Sequence, residues 1–164
     1  QRDTSKAHGL AFSTKLMWTP NNTFNIYFSH ISVGTHALKH ASGYNNYVQR
    51  DFPLGWEHGS DGQSSEFGIN YMVGKNLIGN FSISALKIGE NSIAKNPYNP
   101  YGNYIVGAFP SGIVDEITYI TKELYWKWKD TIRLNCNVII ERINSLDQKA
   151  RLYLGIDLYK KIKR

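Results

Sequence analysis

The sequence predicts an all-β fold: an antiparallel, up-and-down transmembrane β-barrel segment of about seven strands, the C-terminal portion of a larger barrel. Three observations carry that expectation. Apolar and polar residues alternate with a period of two over several segments about ten residues long, and successive side chains of a strand point to opposite faces. The connections between those segments run short, long, short, long, short, matching barrels whose periplasmic turns are short and whose extracellular loops are longer. The polar faces carry Asn, Ser, Gly and Tyr more than the Lys and Glu that keep a soluble sheet monomeric.

Each element follows in order. Residues 9–19 place Leu10, Phe12, Leu16 and Trp18 on one face and Ser13 and Lys15 on the other. Pro20-Asn21-Asn22 reads as a turn, because proline presets φ and asparagine tolerates left-handed geometry. Residues 23–33 return with Phe24, Ile26 and Phe28 opposite Asn25, Tyr27 and Ser29. A long connection, 34–64, is rich in Gly, His, Asn and Tyr. Residues 65–73 set Phe67, Ile69, Tyr71 and Val73 against Glu66, Gly68, Asn70 and Met72, and Gly74-Lys75-Asn76 turns the chain into a strand over 77–88. There Leu77, Phe81, Ile83 and Ala85 oppose Asn80, Ser82 and Ser84. A second long connection spans 89–112.

Residues 113–128 have a less regular pattern, but their Thr, Tyr, Ile and Trp content favours strand over helix. Ile120, Leu124, Trp126 and Trp128 share a face there with Lys122 and Glu116. Lys129-Asp130 turns the chain. The following strand puts Ile132, Leu134, Cys136, Val138 and Ile140 opposite Arg133, Asn135 and Asn137. After 144–148, residues 149–159 repeat the alternation, with Ala150, Leu152, Leu154, Ile156 and Leu158 against Arg151, Tyr153, Gly155, Asp157 and Tyr159. Trp18, Tyr71, Trp126 and Trp128 fall next to short turns, as an interfacial aromatic girdle does. The organisation expected is a polar lead-in (1–8), a barrel portion (9–159) and a basic tail (160–164).

Composition narrows the classes. The chain has 164 residues, 41% hydrophobic, 13% aromatic and 20% charged, a profile that suits a barrel or a carbohydrate-binding sheet better than a metabolic enzyme. The net charge of +6 comes partly from the tail Lys160-Lys161-Ile162-Lys163-Arg164. No basic patch interleaves with a fixed aromatic motif, so no nucleic-acid partner is expected. The single cysteine, Cys136, excludes an intrachain disulfide and a Cys-cluster zinc site, and on the apolar strand face it reads as a small hydrophobe. No stretch of about eighteen apolar residues forms a membrane helix. The opening Gln1–His8 is polar, without the apolar run of a signal peptide, so the chain reads as a piece of a longer protein whose beginning is missing. Seven strands is odd, whereas single-chain bacterial barrels close with even counts; the piece would have two unpaired edges.

The first long connection ends in Arg50-Asp51-Phe52-Pro53-Leu54-Gly55-Trp56-Glu57-His58-Gly59-Ser60-Asp61-Gly62, directly before an amphipathic strand. This run, with the strand–turn–strand to Ile88 and the Gly and polar loop beyond it, resembles the capsule-assembly (Wzi-type) outer-membrane proteins of Gram-negative bacteria and related gliding-motility outer-membrane proteins. The resemblance covers roughly residues 50–90; elsewhere only the barrel rhythm is shared. It implies a large monomeric outer-membrane barrel, delivered by the barrel-insertion machinery, that organises or attaches capsular or other surface polysaccharide without an enzymatic step or cofactor. The chain departs from the usual aromatic barrel terminus in carrying Lys160–Arg164 after Tyr159.

The candidate binding residues are loop aromatics and their polar neighbours: Tyr44, Tyr47, Arg50, Trp56, Asp61, Tyr98, Tyr101 and Tyr104. Sugar rings stack on aromatic faces while Asp, Asn and Arg bond their hydroxyls. Lys39 and Arg50 would attract an acidic polymer. Arg133, Asn135, Arg151 and Asp157 would face the barrel lumen, with Glu141, as polysaccharide contacts or as a charge network. His36 and His40 lack the Glu of a metalloprotease motif, so no metal site is expected. His58, Ser60 and Asp61 contain triad residue types without a nucleophile elbow, and a Gly-Ser-Asp-Gly turn is the simpler reading. Two other classes stay open: a soluble secreted carbohydrate-binding β-sandwich, and an outer-membrane barrel lipase or pore.

Overall fold

A computed structural model describes residues 9–98, 100, 107–129, 132–144 and 147–158. The chain is all-β. Its strands are β1 (Ala11–Asn21), β2 (Phe24–Val33), β3 (Val48–Gln49), β4 (Phe52–Pro53), β5 (Gly62–Val73), β6 (Leu77–Ile88), β7 (Asp115–Lys129), β8 (Ile132–Ile143) and β9 (Asp147–Leu158). Seven of them form an antiparallel sheet in the order β1-β2-β5-β6-β7-β8-β9, and β3 and β4 form a separate hairpin. The order runs between two terminal strands, β1 and β9, so among the described residues the sheet is open and not a closed barrel. The lead-in 1–8, Tyr159 and the tail 160–164 lie outside the described residues.

Several boundaries differ from the sequence reading. Pro20 and Asn21 belong to β1, and the turn is Asn22-Thr23. Among the described residues β1 is a terminal strand of the sheet, a place where a missing N–H leaves no ladder bond unmade. Asn21 Oδ1 closes that turn by accepting from the Thr23 N–H (2.9 Å) and hydroxyl (2.8 Å). The β5 strand starts at Gly62, earlier than expected, while β6 spans the residues the alternation gave it. Lys129 is the last residue of β7, not part of a turn. The first five connections keep the short–long order, but the sixth, 144–146, is also short.

The chain divides into two compact units. The strand unit holds Lys15–Ser29, Glu66–Ala85 and the residues from Ile117 on. Its registers put Trp126, Leu134 and Ile156 in one row and Leu124, Cys136 and Leu154 in the next. Residues directly opposite across a pair share a face. The opposite face carries Glu123-Asn137-Tyr153 and Lys127-Arg133-Asp157 rows. The polar face is bonded side chain to side chain: Tyr27 to Glu66 (2.5 Å), Asn70 to Asn25 (2.8 Å), Asn80 to Asn70 (2.7 Å) and Arg151 to Glu141 (3.0 Å). The apolar face stays open. Leu16 is 65% exposed, Leu154 73% and Leu158 77%, and Trp18, Phe28, Phe67, Ile83, Leu152 and Ile156 are exposed with them.

The loop unit holds His30–Ser65, Leu86–Glu116 and the start of the chain to Thr14. Here Val33, Leu86, Ile88 and Ile93 are buried. Backbone pairing continues past the strand ends. The Gly34 N–H donates to Leu10 O (2.7 Å), Asp61 to Gly34 O (3.3 Å), Gly89 to Asp61 O (2.7 Å) and Glu90 to Ser111 O (2.8 Å).

Candidate functional site in the long loops

The two long connections are tied together in the loop unit by a buried carboxylate. Asp61 is fully buried. Its Oδ1 accepts from the Thr35 hydroxyl (2.7 Å) and the Ser111 N–H (2.9 Å). Its Oδ2 accepts from the Asn91 N–H (3.0 Å) and the Ser111 hydroxyl (2.5 Å). Four donors are what a buried carboxylate needs to offset its lost hydration. Asp61 sits at φ +58°, a left-handed position that aspartate tolerates better than most residues. Gly89 leaves the space, since a Cβ there would lie 2.1 Å from Asp61 Oδ2. The half-buried Lys39 donates to Asn91 O (2.6 Å). Burial pushes its ammonium below the usual lysine pKa, against the opposing pull of the Asp61 charge.

A second set of contacts fixes an exposed aromatic surface. The β3–β4 hairpin turns through Arg50-Asp51, both at positive φ (51° and 67°), the geometry of a two-residue hairpin turn usually given to Asn-Gly. Asp51 Oδ1 accepts the Tyr98 hydroxyl at 2.5 Å. That bond holds Tyr98 in its protonated form, raising its pKa, with the Asp51 charge adding to the effect. The Tyr44 ring lies 5.7 Å from Tyr98, centroid to centroid, tilted by 39°. Gly43 makes this approach feasible, because a Cβ would stand 1.7 Å from the Tyr98 carbonyl oxygen. Asn46, buried beneath, donates to Pro97 O (2.8 Å) and accepts from the His40 N–H (2.7 Å). Tyr44 is 85% exposed, and Tyr47, Phe52 and Tyr98 are exposed too.

The structure thus gathers Tyr44, Tyr98 and the Arg50 turn, all named from sequence, and places Tyr47 exposed in the same unit. It adds Asp51 and Phe52, which sequence reasoning passed over; the signal available was a polar two-residue step between short β-prone stretches. Trp56 is half-buried, edge-on to His58 (5.2 Å, 85°) and covering Gly62. Asp61 does not reach the surface; it is the internal tie. Tyr101 and Tyr104 lie outside the described residues. Ser60 is buried and accepts from the Ile93 N–H (3.3 Å), while His58 contacts Trp56 and Glu57. His58 bonds neither Ser60 nor Asp61. His58 is kept below its usual pKa by burial, partly offset by Glu57. Among the described residues no group of three or more His, Cys, Asp or Glu could hold a metal ion.

The strand unit holds the residues expected in a lumen. Arg133 stands opposite Asp157, Asn135 donates to Asp157 (3.4 Å), and Arg151 pairs with Glu141, all on the polar face.

No protein-family model, curated protein or solved structure matches the chain.

Proposed function

We propose that the chain is part of the wall of an outer-membrane β-barrel of the capsule-assembly type, non-enzymatic, whose long-loop unit holds surface polysaccharide. The observation that carries this reading is the inversion of the strand unit. Its apolar face is exposed, while its polar face is joined by side-chain hydrogen bonds. Soluble monomers rarely expose a contiguous apolar patch of more than a few hundred Å², whereas a barrel wall turns that face to hydrocarbon and its polar face to the lumen. Strand length agrees. A strand of 12 residues, such as β5 or β9, spans about 40 Å along its axis, or roughly 28 Å when tilted near 45°.

In the loop unit, Tyr44 and Tyr98 offer a sugar ring an aromatic platform, with Arg50 and Asp51 at its edge as polar partners. Holding Tyr98 through Asp51 reduces the ordering cost of binding. Two measurements test the reading. The full-length gene product should give a carbonate-resistant outer-membrane band that shifts on boiling, and Tyr44→Ala with Tyr98→Ala should weaken retention on purified surface polysaccharide by about tenfold or more. A product that stays soluble and monomeric without a shift would move the chain to a soluble sugar-binding sandwich. Unchanged retention would remove the polysaccharide role.

A further inference from the structure

The polar face of the strand unit carries a recess of about 420 Å³ where β5 turns into β6 and β7 meets β8. Lys75, Tyr125, Lys127, Arg133 and Asp157 are among the residues that line it. The registers set these strand residues on one face. Lys127 stands directly opposite Arg133, Arg133 opposite Asp157, and Tyr125 opposite Asn135 in the next row. The Lys127-Arg133-Asp157 row is followed by a β-bulge: Lys129 pairs with Ile132, so Trp128 is unopposed.

Two properties of this recess point to a ligand. The first is charge. Among the described residues that line it are three cations and one carboxylate. Like charges directly opposite across a strand pair are destabilising, so the Lys127–Arg133 pairing works against the sheet until negative charge comes near. Asp157 supplies one such charge and is itself held. Asn135 donates to it through Nδ2 (3.4 Å), and Gly155 leaves the amide room, since a Cβ there would lie 2.3 Å from Asn135 Oδ1. The second property is shape. The volume falls within the roughly 300–1,000 Å³ of small-ligand sites, and Tyr125 keeps an exposed ring beside the charges. In the barrel reading this face lines the lumen, whose low-dielectric walls would focus the field and concentrate anions.

We infer that this recess binds a carboxylate-bearing sugar residue, one unit of an acidic saccharide. The planar fork of Arg133 matches a carboxylate, and Lys75 and Lys127 add positive charge. The pyranose ring stacks on Tyr125, while Asp157 accepts from its hydroxyls. A phosphate would bring more negative charge against Asp157, so the monoanionic carboxylate is the better fit. The inference rests on the polysaccharide reading and deepens it. It names the sugar class and adds a contact in the strand unit.

The test uses the full-length protein in detergent micelles, with trigalacturonate and its carboxyl-reduced counterpart as probes and titration calorimetry as the readout. At low salt the acidic trimer should bind about tenfold or more tightly than the reduced one, the difference shrinking as salt is added. A Lys75→Gln, Lys127→Gln, Arg133→Gln variant that keeps the circular dichroism of the unsubstituted protein should lose that preference. A Tyr44→Ala, Tyr98→Ala variant should keep it. Equal binding of the two trimers by the unsubstituted protein, or a preference that survives in the triple variant, would overturn the site. Loss of the preference in the double tyrosine variant would move acid binding to the loop unit and overturn it too. Displacement of trigalacturonate by an equal concentration of acetate at constant ionic strength would reduce the recess to a small-anion site and overturn the sugar assignment. Binding of neither trimer would also overturn the site. The polysaccharide reading falls with it only if retention on purified surface polysaccharide is lost as well.

Discussion

Replacing Asp61 with Asn is the sharpest perturbation of the loop unit, because it removes a charge and changes almost nothing else. Asparagine tolerates the φ of +58° at this position, so backbone strain is not introduced. The aspartate accepts four hydrogen bonds, two on each oxygen. An amide keeps one acceptor oxygen and presents an NH2 group to the other two donors. The Ser111 hydroxyl can rotate and accept; the backbone N–H it competes with cannot. One buried N–H is left unmade, at about 1–3 kcal/mol, and the surviving bonds lose their charge assistance, worth roughly 1 kcal/mol more in sum. Relief of the buried charge offsets part of this. The expected net loss is about 1–3 kcal/mol in the local opening free energy, or roughly a 5- to 150-fold faster amide exchange. The assay is site-resolved hydrogen exchange at Asn91 and Ser111, with the Met72 N–H, bonded to Thr23 O in the strand unit, as internal control. Asp61→Ala should exceed the Asn variant by roughly 1–2 kcal/mol, because alanine pays for the left-handed backbone. A folded Asn variant whose Asn91 and Ser111 amides exchange at the original rate would refute the idea that this carboxylate ties the loops.

Other outcomes follow from single contacts. Gly68→Ala would put a Cβ 2.3 Å from the Tyr27 ring; displacing the ring breaks its bond to Glu66 and should cost about 1–3 kcal/mol, read as a lower midpoint for loss of the folded gel band. Tyr98→Phe removes the bond to Asp51 but keeps the ring, so it should weaken sugar retention less than Tyr98→Ala and loosen the Arg50-Asp51 turn in exchange measurements. His58 has a folded pKa lowered by burial. Its contribution to stability is present above pH 6.5 and lost as pH falls through that lower value. Acid should therefore loosen the loop unit, seen in the near-ultraviolet signal of Trp56, and His58→Gln should remove that part of the pH dependence.

The sequence made the strand unit readable because its forces are periodic. Alternation over Ile132–Ile140 and Leu152–Leu158 marked both faces, and the register puts Leu134 with Ile156 and Arg133 with Asp157 as a two-residue period requires. Two features broke that rule. Pro20 looked like a turn because its place in a terminal strand is a tertiary fact. The bulge at Trp128 came from pairing rather than from composition, and it moved Lys129 out of the turn assigned to it. The loop unit was read only in part. Tyr44 and Tyr98 could be named as exposed aromatics, but not that Asp51 would hold Tyr98 or that Gly43 would seat it. Asp61 is buried, which its position in a Gly-Ser-Asp-Gly stretch does not announce. Its residue type suggested contact with hydroxyls, and it does bond hydroxyls, those of Thr35 and Ser111 inside the protein. Which donors meet a carboxylate depends on residues up to 50 positions away, beyond any local pattern.

The central claim is that one face of the strand unit meets hydrocarbon, and β9 tests it most directly. In a Cys136→Ser background, single cysteines at positions 151 to 157 would carry a spin label, and collision with oxygen would be compared with collision with a water-soluble nickel complex. The expected result alternates. Labels at Leu152, Leu154 and Ile156 meet oxygen and are shielded from nickel, while labels at Arg151, Tyr153 and Asp157 show the reverse. Equal access of nickel to both sets in the full-length protein would contradict the account.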